Sequence, residues 1–182
     1  MKKNELIATL RDRTISSVTF KRTSNALSAL IAADIKQELP PADDITLVPI
    51  LRAGIALLPS FMDTFEEASV GFVGIYRDAK AQPHLYYEKL PAITPHSQII
   101  ILDPMVATGG STLLALQKLI DAGATSSHIT IASMIGAPEG KEAVLSAYPE
   151  TRIHFAILDD HLDTKKYIVP GLGDFGDRFF ST

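Results

Sequence analysis

The sequence predicts an α/β fold in which a parallel sheet carries helices on both faces. Short apolar runs, such as residues 45–51 and 99–102, have the composition of strands that are buried on both faces. Helix-like segments alternate with these runs, as they do in βαβ units. The chain has 182 residues, 46% of them hydrophobic and 21% charged, which is enough for one domain with a substantial core.

The chain begins with two predicted helices and a strand. Residues 1–14 fit a short helix, and a longer helix is predicted from Ser16 with its apolar residues on one stripe. Two consecutive prolines end this second helix. The strand at 45–51 follows, and we expect it to finish near Pro49, because proline has no N–H to donate to a neighbouring strand.

A hairpin is predicted in the middle of the chain. Residues 55–65 have a helical pattern that Pro59 interrupts, and residues 69–76 form the next strand. Residues 77–80 are a charged loop that we expect to be mobile. Residues 85–90 then return as a strand, which would close the hairpin on that loop.

The second half of the chain continues the alternation. After the strand at 99–102, we predict a helix at 113–122, strands at 129–135 and 152–158, and a helix at 140–147. Residues 165–182 contain one proline and three glycines, and they break the pattern. We therefore expect this last segment to be a loop-rich flap over the site rather than another βα unit.

Composition excludes several classes of function. The formal net charge is −4 without a basic block, so nothing indicates general affinity for nucleic acid or anionic membranes. The absence of cysteine excludes disulfides, thiolate metal sites and thiol nucleophiles. The five histidines lack metal-ligand spacing. No apolar segment resembles a secretory signal or approaches the roughly 20 residues of a membrane span, so we expect a cytoplasmic protein.

The segment that follows the strand at 99–102 has the features of a phosphate site. Asp103 stands where the strand should emerge from the sheet, and a loop of small residues leads into the helix. Residues 108–112 combine two glycines with three hydroxyl side chains at the helix N-terminus. Exposed N–H groups, a favourable helix dipole and little side-chain bulk are what phosphate binding requires. The alternative is an ordinary strand–turn–helix corner.

Charged residues at other strand ends are predicted to share this site. Ligands of open parallel sheets bind outside the carboxyl ends of the strands. This rule places Arg52, Arg77 and Asp103 near one crevice, together with Asp159 or Asp160. A guanidinium offers forked donors to a polyanion. The alternatives are an Arg52 that neutralises neighbouring carboxylates and an Arg77 at a solvated hairpin tip.

The glycine-rich stretch near the C-terminus predicts a loop that reads its ligand with the backbone. Three glycines lie within residues 171–176, and Pro170 stiffens the approach to them. A planar pyrimidine with alternating N–H and C=O groups could pair with exposed backbone groups in such a loop. The alternative is an irregular tail with structural glycines.

Four segments together resemble uracil phosphoribosyltransferases, which belong to the type I phosphoribosyltransferase family. They are Asp-Pro-Met-Val-Ala-Thr-Gly-Gly-Ser from Asp103, Val-Pro-Ile-Leu-Arg-Ala-Gly from Val48, Tyr-Arg-Asp from Tyr76, and Tyr-Ile-Val-Pro-Gly-Leu-Gly-Asp-Phe-Gly-Asp from Tyr167. The resemblance implies a central parallel sheet flanked by helices, with a small C-terminal hood. The single domain would span residues 1–182, with a core at about 16–160 and the hood at about 161–182.

The resemblance also implies a reaction, in which uracil and phosphoribosyl pyrophosphate (PRPP) give UMP and pyrophosphate in pyrimidine salvage. The implied PRPP-binding residues are Arg52, Ala53, Gly54, Arg77, Asp103, Pro104, Met105, Val106, Ala107, Thr108, Gly109, Gly110, Ser111 and Asp174. The implied uracil-binding residues are Ile168, Gly173, Asp174 and Phe175. Catalysis would involve Arg52, Arg77 and Asp174. Mg²⁺ would arrive on PRPP, with Asp174 as its candidate protein contact.

Two further expectations concern partners and alternatives. The family's resemblance implies a homo-oligomer, but the hairpin arm that helps to build the family's dimer is mostly missing, since only residues 39–44 separate the long helix from the next strand. Two other functions stay open at this point. One is a PRPP- or nucleotide-sensing regulator with little turnover, and the other is a phosphoribosyltransferase for another base.

Overall fold

The computed structural model describes residues 2–78 and 80–182, in which helices and strands alternate along most of the chain. The helices are Lys3–Arg11 (α1), Ser17–Glu38 (α2), Leu58–Thr64 (α3), Gly110–Asp121 (α4), Pro138–Ala147 (α5) and Phe175–Phe180 (α6). The strands are Ile45–Leu51 (β1), Ser69–Val70 (β2), Phe72–Arg77 (β3), Pro83–Lys89 (β4), Gln98–Leu102 (β5), Met105–Val106 (β6), Ile129–Gly136 (β7), Arg152–Leu158 (β8), His161–Leu162 (β9) and Ile168–Val169 (β10). Short 3₁₀ helices occupy Ala53–Ala56 and Ser126–His128.

One mostly parallel sheet organises the molecule. Strand β1 pairs with β5 along one edge and with β2 and then β3 along the other. Strand β7 pairs in parallel with β5 and then β6 on one side and with β8 on the other. Strand β4 is antiparallel to β3 and closes the predicted hairpin at the edge of the sheet. The predicted α/β class, with a central parallel sheet between helices, is confirmed.

Helices cover both faces because the central strands are apolar on both sides. Every residue of β5 and of β7 is buried. Helix α2 packs across one face together with α1, α3 and α6, while α4 and α5 cover the other face. The Ser16 side chain accepts a hydrogen bond from Thr19 N and caps α2, and the helix ends before the paired prolines. No helix in residues 2–78 and 80–182 has the length and apolar character needed to cross a membrane.

Strand β1 differs from the prediction at its end. It continues two residues beyond Pro49, because β1 changes its partner there instead of stopping. Its pairing with β5 finishes at the Pro49–Leu102 pair, and Ile50 and Leu51 then pair with β3. A proline that cannot donate to a ladder is tolerated at such a change of partner.

Two other segments also differ from the predicted elements. Pro59 lies in the first turn of α3, where its missing N–H costs nothing, so it begins that helix rather than interrupting it. The C-terminal segment is more regular than a loop-rich flap. It contains β10, which pairs with β9, and the six-residue helix α6. The charged loop at 77–80 includes Ala79, which lies outside the described residues.

Candidate functional site

A cavity of about 890 Å³ lies beside the carboxyl ends of β1, β3 and β5. Most of the predicted site residues line it, namely Arg52, Ala53, Arg77, Asp103, Pro104, Met105, Ala107, Thr108, Ser111, Ile168, Gly173, Asp174 and Phe175. Gly54, Val106, Gly109 and Gly110 do not line the cavity. The tertiary structure therefore brings three features to one place: the loop at 103–112, called the phosphate-type loop below, both arginines, and the glycine-rich hood. The role of each residue stays a prediction.

The loop after β5 is held rigidly against β7. Asp103 N donates to Ala132 O at 3.1 Å, and Pro104 O accepts from Met134 N and Ile135 N at 3.1 and 3.2 Å. Beyond it, Met105 and Val106 form β6, which pairs with the end of β7. The loop thus continues the sheet by two residues before it turns into α4, and this pairing sets the position of the α4 N-terminus.

The first turn of helix α4 reaches the cavity, which Thr108 and Ser111 line. Gly109 precedes its first residue in a left-handed conformation, with φ of 79°, which glycine adopts without strain. No side chain caps the helix. The first-turn N–H groups of a helix have no partner within it, and the helix dipole adds partial positive charge there. This end of α4 is therefore suited to bind an anion such as phosphate.

Asp103 is a buried carboxyl group at the base of the cavity. Burial raises the pKa of Asp103 above its ordinary value, and the positive charge of Arg77 opposes that shift. Met105 N and Thr112 Oγ1 also donate to the carboxylate, at 3.4 and 3.1 Å, and these contacts favour the charged form. The environment thus keeps a carboxylate close to the α4 N-terminus at a net cost, which is typical of functional sites.

The two arginines reach the cavity from neighbouring strands. Arg52 is exposed and follows β1, after a cis peptide bond with Leu51. A Cβ atom on Gly54 would lie 2.3 Å from Leu102 O, so only glycine lets this turn pack against the end of β5. Arg77 ends β3, and its Nε donates to Ser111 Oγ at 3.3 Å. The guanidinium of Arg77 therefore lies beside the first turn of α4.

Asp78 organises the described residues of the hairpin tip. Its carboxylate accepts from the backbone N–H groups of Lys80 and Gln82 and contacts His84 Nε2 at 2.9 Å. The hydrogen bond with His84, followed by the one from Gln82, lowers the pKa of Asp78. The aspartate of the Tyr-Arg-Asp motif thus shapes the turn that follows Arg77, and the predicted mobility of this loop stays untested.

The hood contributes a tight glycine loop. Gly171 and Gly173 both have positive φ, 62° and 78°. A Cβ atom on Gly171 would lie 2.2 Å from Ile168 O, so the loop cannot close in this way with any other residue. Asp174 Oδ1 accepts from Asp177 N at 2.9 Å and caps α6. Phe175 is buried against Phe20, so it can offer a ligand its backbone rather than its ring.

Several cavity residues were not predicted from the sequence. Tyr86 enters from β4, where its ring lies 6.4 Å from the ring of Tyr76. Lys165 and Lys166 enter from the turn between β9 and β10, directly before the hood motif. Their position next to Tyr167, where the hood motif begins, was the one feature of the sequence that could have identified them.

Neither Asp159 nor Asp160 lines the cavity, contrary to the topological expectation. Asp159 is instead buried in contacts with Arg11 and Gly171 N.

Comparisons with known proteins agree on one family. A family model described as uracil phosphoribosyltransferase matches residues 35–182. The uracil phosphoribosyltransferase of Limosilactobacillus reuteri (strain DSM 20016) is 38% identical over 95% of this chain and 91% of its own length. The uracil phosphoribosyltransferase of Halalkalibacterium halodurans is 41% identical over the same shares.

Two solved structures share the fold of this chain. The AQ2163 protein from Aquifex aeolicus superimposes with a TM-score of 0.92 and 29% identity, over 99% of this chain and 94% of its own. APRTase from Giardia lamblia, complexed with 9-deazaadenine, shares the fold with a TM-score of 0.69 and 14% identity, over 88% of this chain and 99% of its own. The likeness to this second protein extends to the fold alone.

Replacing Asp103 by Asn should stabilise the protein near neutral pH by about 1 kcal/mol, because a neutral amide avoids the desolvation of a buried carboxylate. The pKa of Asp103 is raised in the folded state. The carboxyl group therefore makes its full contribution to the free energy of unfolding below its ordinary pKa of 3.8, and this contribution is lost as pH rises through the folded-state pKa. Urea denaturation should therefore show a small difference in the free energy of unfolding between Asp103→Asn and the wild type in acid, and a larger difference at neutral pH. An equal difference at both would contradict this account.

Replacing Gly140 by Ala should destabilise the protein by about 2 kcal/mol, although the same change in most helices is favourable by about 1 kcal/mol. The new Cβ atom would lie 2.3 Å from Ala107 O and force α5 away from the phosphate-type loop. Urea denaturation measures the difference. Ser146→Ala, at an exposed position of the same helix, should change stability by less than about 0.5 kcal/mol. Similar values for the two variants would refute the clash.

Proposed function

The chain belongs to the uracil phosphoribosyltransferase family, and we propose that it transfers the phosphoribosyl group of PRPP to uracil, giving UMP and pyrophosphate in pyrimidine salvage. One observation carries the proposal for this chain. A loop suited to phosphate, two arginines from different strands and a glycine hood with exposed backbone line the same cavity. The loop and the arginines suit the first substrate, a polyanionic sugar donor, and the hood suits the second, a planar base.

The phosphate end of the cavity would hold PRPP. The free N–H groups at the α4 N-terminus would bind the 5′-phosphate, helped by the hydroxyls of Thr108 and Ser111. Asp103 would accept hydrogen bonds from the ribose hydroxyls, which would offset the cost of burying its charge. Arg52 and Arg77 would contact the pyrophosphate, because guanidinium groups bind phosphate oxygens through two donors at once.

The hood would hold uracil. Gly173 carries no side chain, so the base can approach the backbone of residues 173–175 closely. Hydrogen bonds to the alternating N–H and C=O groups of uracil would select this pyrimidine, since a buried polar group without a partner costs about 1–3 kcal/mol. Tyr167 and Ile168, on the cavity wall, would give the base an apolar surface.

In the chemical step, the bond between the anomeric carbon and the pyrophosphate oxygen breaks, and a bond from uracil N1 to that carbon forms. The proton that N1 carries in free uracil is released to water or to the leaving pyrophosphate. The transition state resembles an oxocarbenium ion with negative charge growing on the leaving pyrophosphate. Arg77, held beside Ser111, would stabilise that charge where it develops. The main contribution of the protein is to align the two substrates. The hairpin tip would exclude water from the reacting sugar.

Mg²⁺ fits the site as a cation that arrives with PRPP. Residues 2–78 and 80–182 contain no cluster of three or more histidines and carboxylates that could cage a metal. Mg²⁺ often keeps several waters and takes only one or two protein carboxylates together with substrate phosphates. Asp174 is exposed and lines the cavity, so it would be that carboxylate. When bound, Mg²⁺ neutralises charge on the pyrophosphate.

The proposal extends to the setting of the enzyme. We place it in the cytoplasm, with small-molecule substrates and without nucleic-acid or membrane partners. We also propose a homo-oligomer, whose contacts must differ from those made through a hairpin arm, because only six residues, 39–44, connect α2 to β1.

The direct test is an assay with PRPP, Mg²⁺ and uracil in which UMP is measured by chromatography. Cytosine, hypoxanthine and orotate are assayed in parallel. We expect UMP from uracil and no product from the other bases. A nucleotide from another base would overturn the assignment of the hood. No product from any base, despite measurable PRPP binding, would favour the sensor function instead.

Replacing Arg77 by Ala should lower kcat by about 100-fold, because removing one fixed donor to developing charge typically costs about 3 kcal/mol. The KM for uracil should change by less than about threefold, since Arg77 lies at the phosphate end. Steady-state kinetics with each substrate varied in turn measures both. Arg152→Met is the control, because Arg152 is an exposed arginine that donates to Ser127 O and lies outside the cavity. Wild-type kinetics for the Ala variant would remove Arg77 from the site.

A further inference from the structure

The hood loop is attached to the N-terminal helix by buried and half-buried charged groups that do not line the cavity. One group is Arg178, on α6, and the other is the ion pair between Arg11 on α1 and Asp159 after β8. Neither site has a role in the reaction described above. Both contact the backbone of the loop directly before residues 173–175, which makes them candidates for positioning the base.

Arg178 holds three backbone carbonyls from two distant segments. Its Nη1 donates to Leu172 O at 2.6 Å and also to Leu10 O, and its Nη2 donates to Asp12 O at 2.7 Å. The guanidinium lies over the ring of Phe20, 4.1 Å from its centroid. A planar guanidinium can satisfy these acceptors at once, whereas an ammonium group cannot copy its fork geometry. Arg178 thus fixes Leu172 relative to the end of α1.

The second attachment lies one residue earlier in the loop. Asp159 Oδ2 accepts from Gly171 N at 2.9 Å, and its Oδ1 pairs with Arg11 Nη2. Only 1% of the Asp159 side chain is exposed, so its charge needs the partner that α1 supplies. Gly171 has a φ of 62° and leaves no space for a side chain. The N–H of this tight turn is therefore held by a carboxylate that is itself paired with Arg11.

The two attachments together determine where Gly173 lies. They hold Gly171 N and Leu172 O, the groups that immediately precede it in the chain. Behind the loop, Phe175 packs on Phe20 of α2 with ring centroids 5.3 Å apart. The Arg13 guanidinium also lies 3.9 Å from the position that a Cβ of Gly173 would take. Backbone recognition of a ligand needs such support, because a displacement of about 1 Å can cost about 100-fold in rate.

We infer that Arg178 and the Arg11–Asp159 pair are positioning residues for the base, so that the segment from α1 to Asp12 is part of the base site although it does not touch the ligand. The inference rests on the proposed function, since it assigns a supporting role within that site. The inference requires that replacing these residues changes the KM for uracil more than the KM for PRPP, because the phosphate-type loop is held separately, by β7.

The kinetic test compares three variants. Arg178→Met keeps the apolar contact with Phe20 but removes all three hydrogen bonds, and Arg178→Lys restores the charge alone. Asp159→Asn keeps an acceptor for Gly171 N but loses the charge that pairs with Arg11. We expect Arg178→Met to raise the KM for uracil by about tenfold or more and the KM for PRPP by less than about threefold. The other two variants should show smaller increases for uracil only.

Arg152→Met serves as the matched control, since it removes one exposed guanidinium–carbonyl contact on β8, away from the hood. Its two KM values should equal those of the wild type. Equal increases in both KM values, or unchanged values in every folded variant, would overturn the inference. Should Arg178→Met fail to fold, Arg178→Lys and Asp159→Asn still decide it, because the first keeps the positive charge and the second keeps an acceptor for Gly171 N.

A second readout does not depend on turnover. Hydrogen–deuterium exchange should be faster at the backbone of residues 168–176 in Arg178→Met and unchanged at residues 103–112. Unchanged exchange in the hood would overturn the inference even if the enzyme is active. Absence of UMP with the wild-type protein would instead refute the proposed function, and the exchange comparison would still decide whether Arg178 holds the loop.

Discussion

The pairing between β7 and the segment after β5 is the constraint on which the site depends. Pro104 O accepts two hydrogen bonds from the backbone of β7, and β6 then continues the pairing to Val106. Because a two-residue strand follows the end of β5, the chain enters α4 at a defined place. The carboxylate of Asp103, the free N–H groups of α4 and the contact between Ser111 and Arg77 all follow from that placement.

The electrostatics of the cavity show a compromise between folding and ligand binding. Burial raises the pKa of Asp103, while Arg77 and two hydrogen bonds act in the opposite direction. A structure selected for stability alone would place an amide or a hydrophobic residue at this position. Charged groups of both signs around an open cavity are instead suited to a ligand that carries phosphates beside hydroxyl groups, which the proposed donor substrate does.

The two ends of the cavity have separate supports. The phosphate end belongs to the sheet, where strand pairing defines the backbone. Side chains support the hood loop. Arg178 donates to Leu172 O in the loop and also to Asp12 O, which is 166 residues away in the sequence, and Asp159 accepts from Gly171 N. A change in the hood contacts can therefore move the base loop without moving the loop after β5.

The sequence by itself determined the class of fold, the order of its elements and the motifs that meet in the cavity, because apolar periodicity and turn residues are local properties. It also singled out the glycine-rich loop at 171–176, because glycines expose the backbone, whereas the positive φ of Gly171 and Gly173 emerged only from the structure. The change of partner along β1 at Pro49, the helix α6 and the position of Asp159 depended on contacts between segments far apart in the chain. Asp159 follows its strand as the topological rule requires, yet Arg11, 148 residues earlier, draws its carboxylate away from the cavity. Only the tertiary structure could decide this, because no local pattern records which distant side chain pairs with a buried charge.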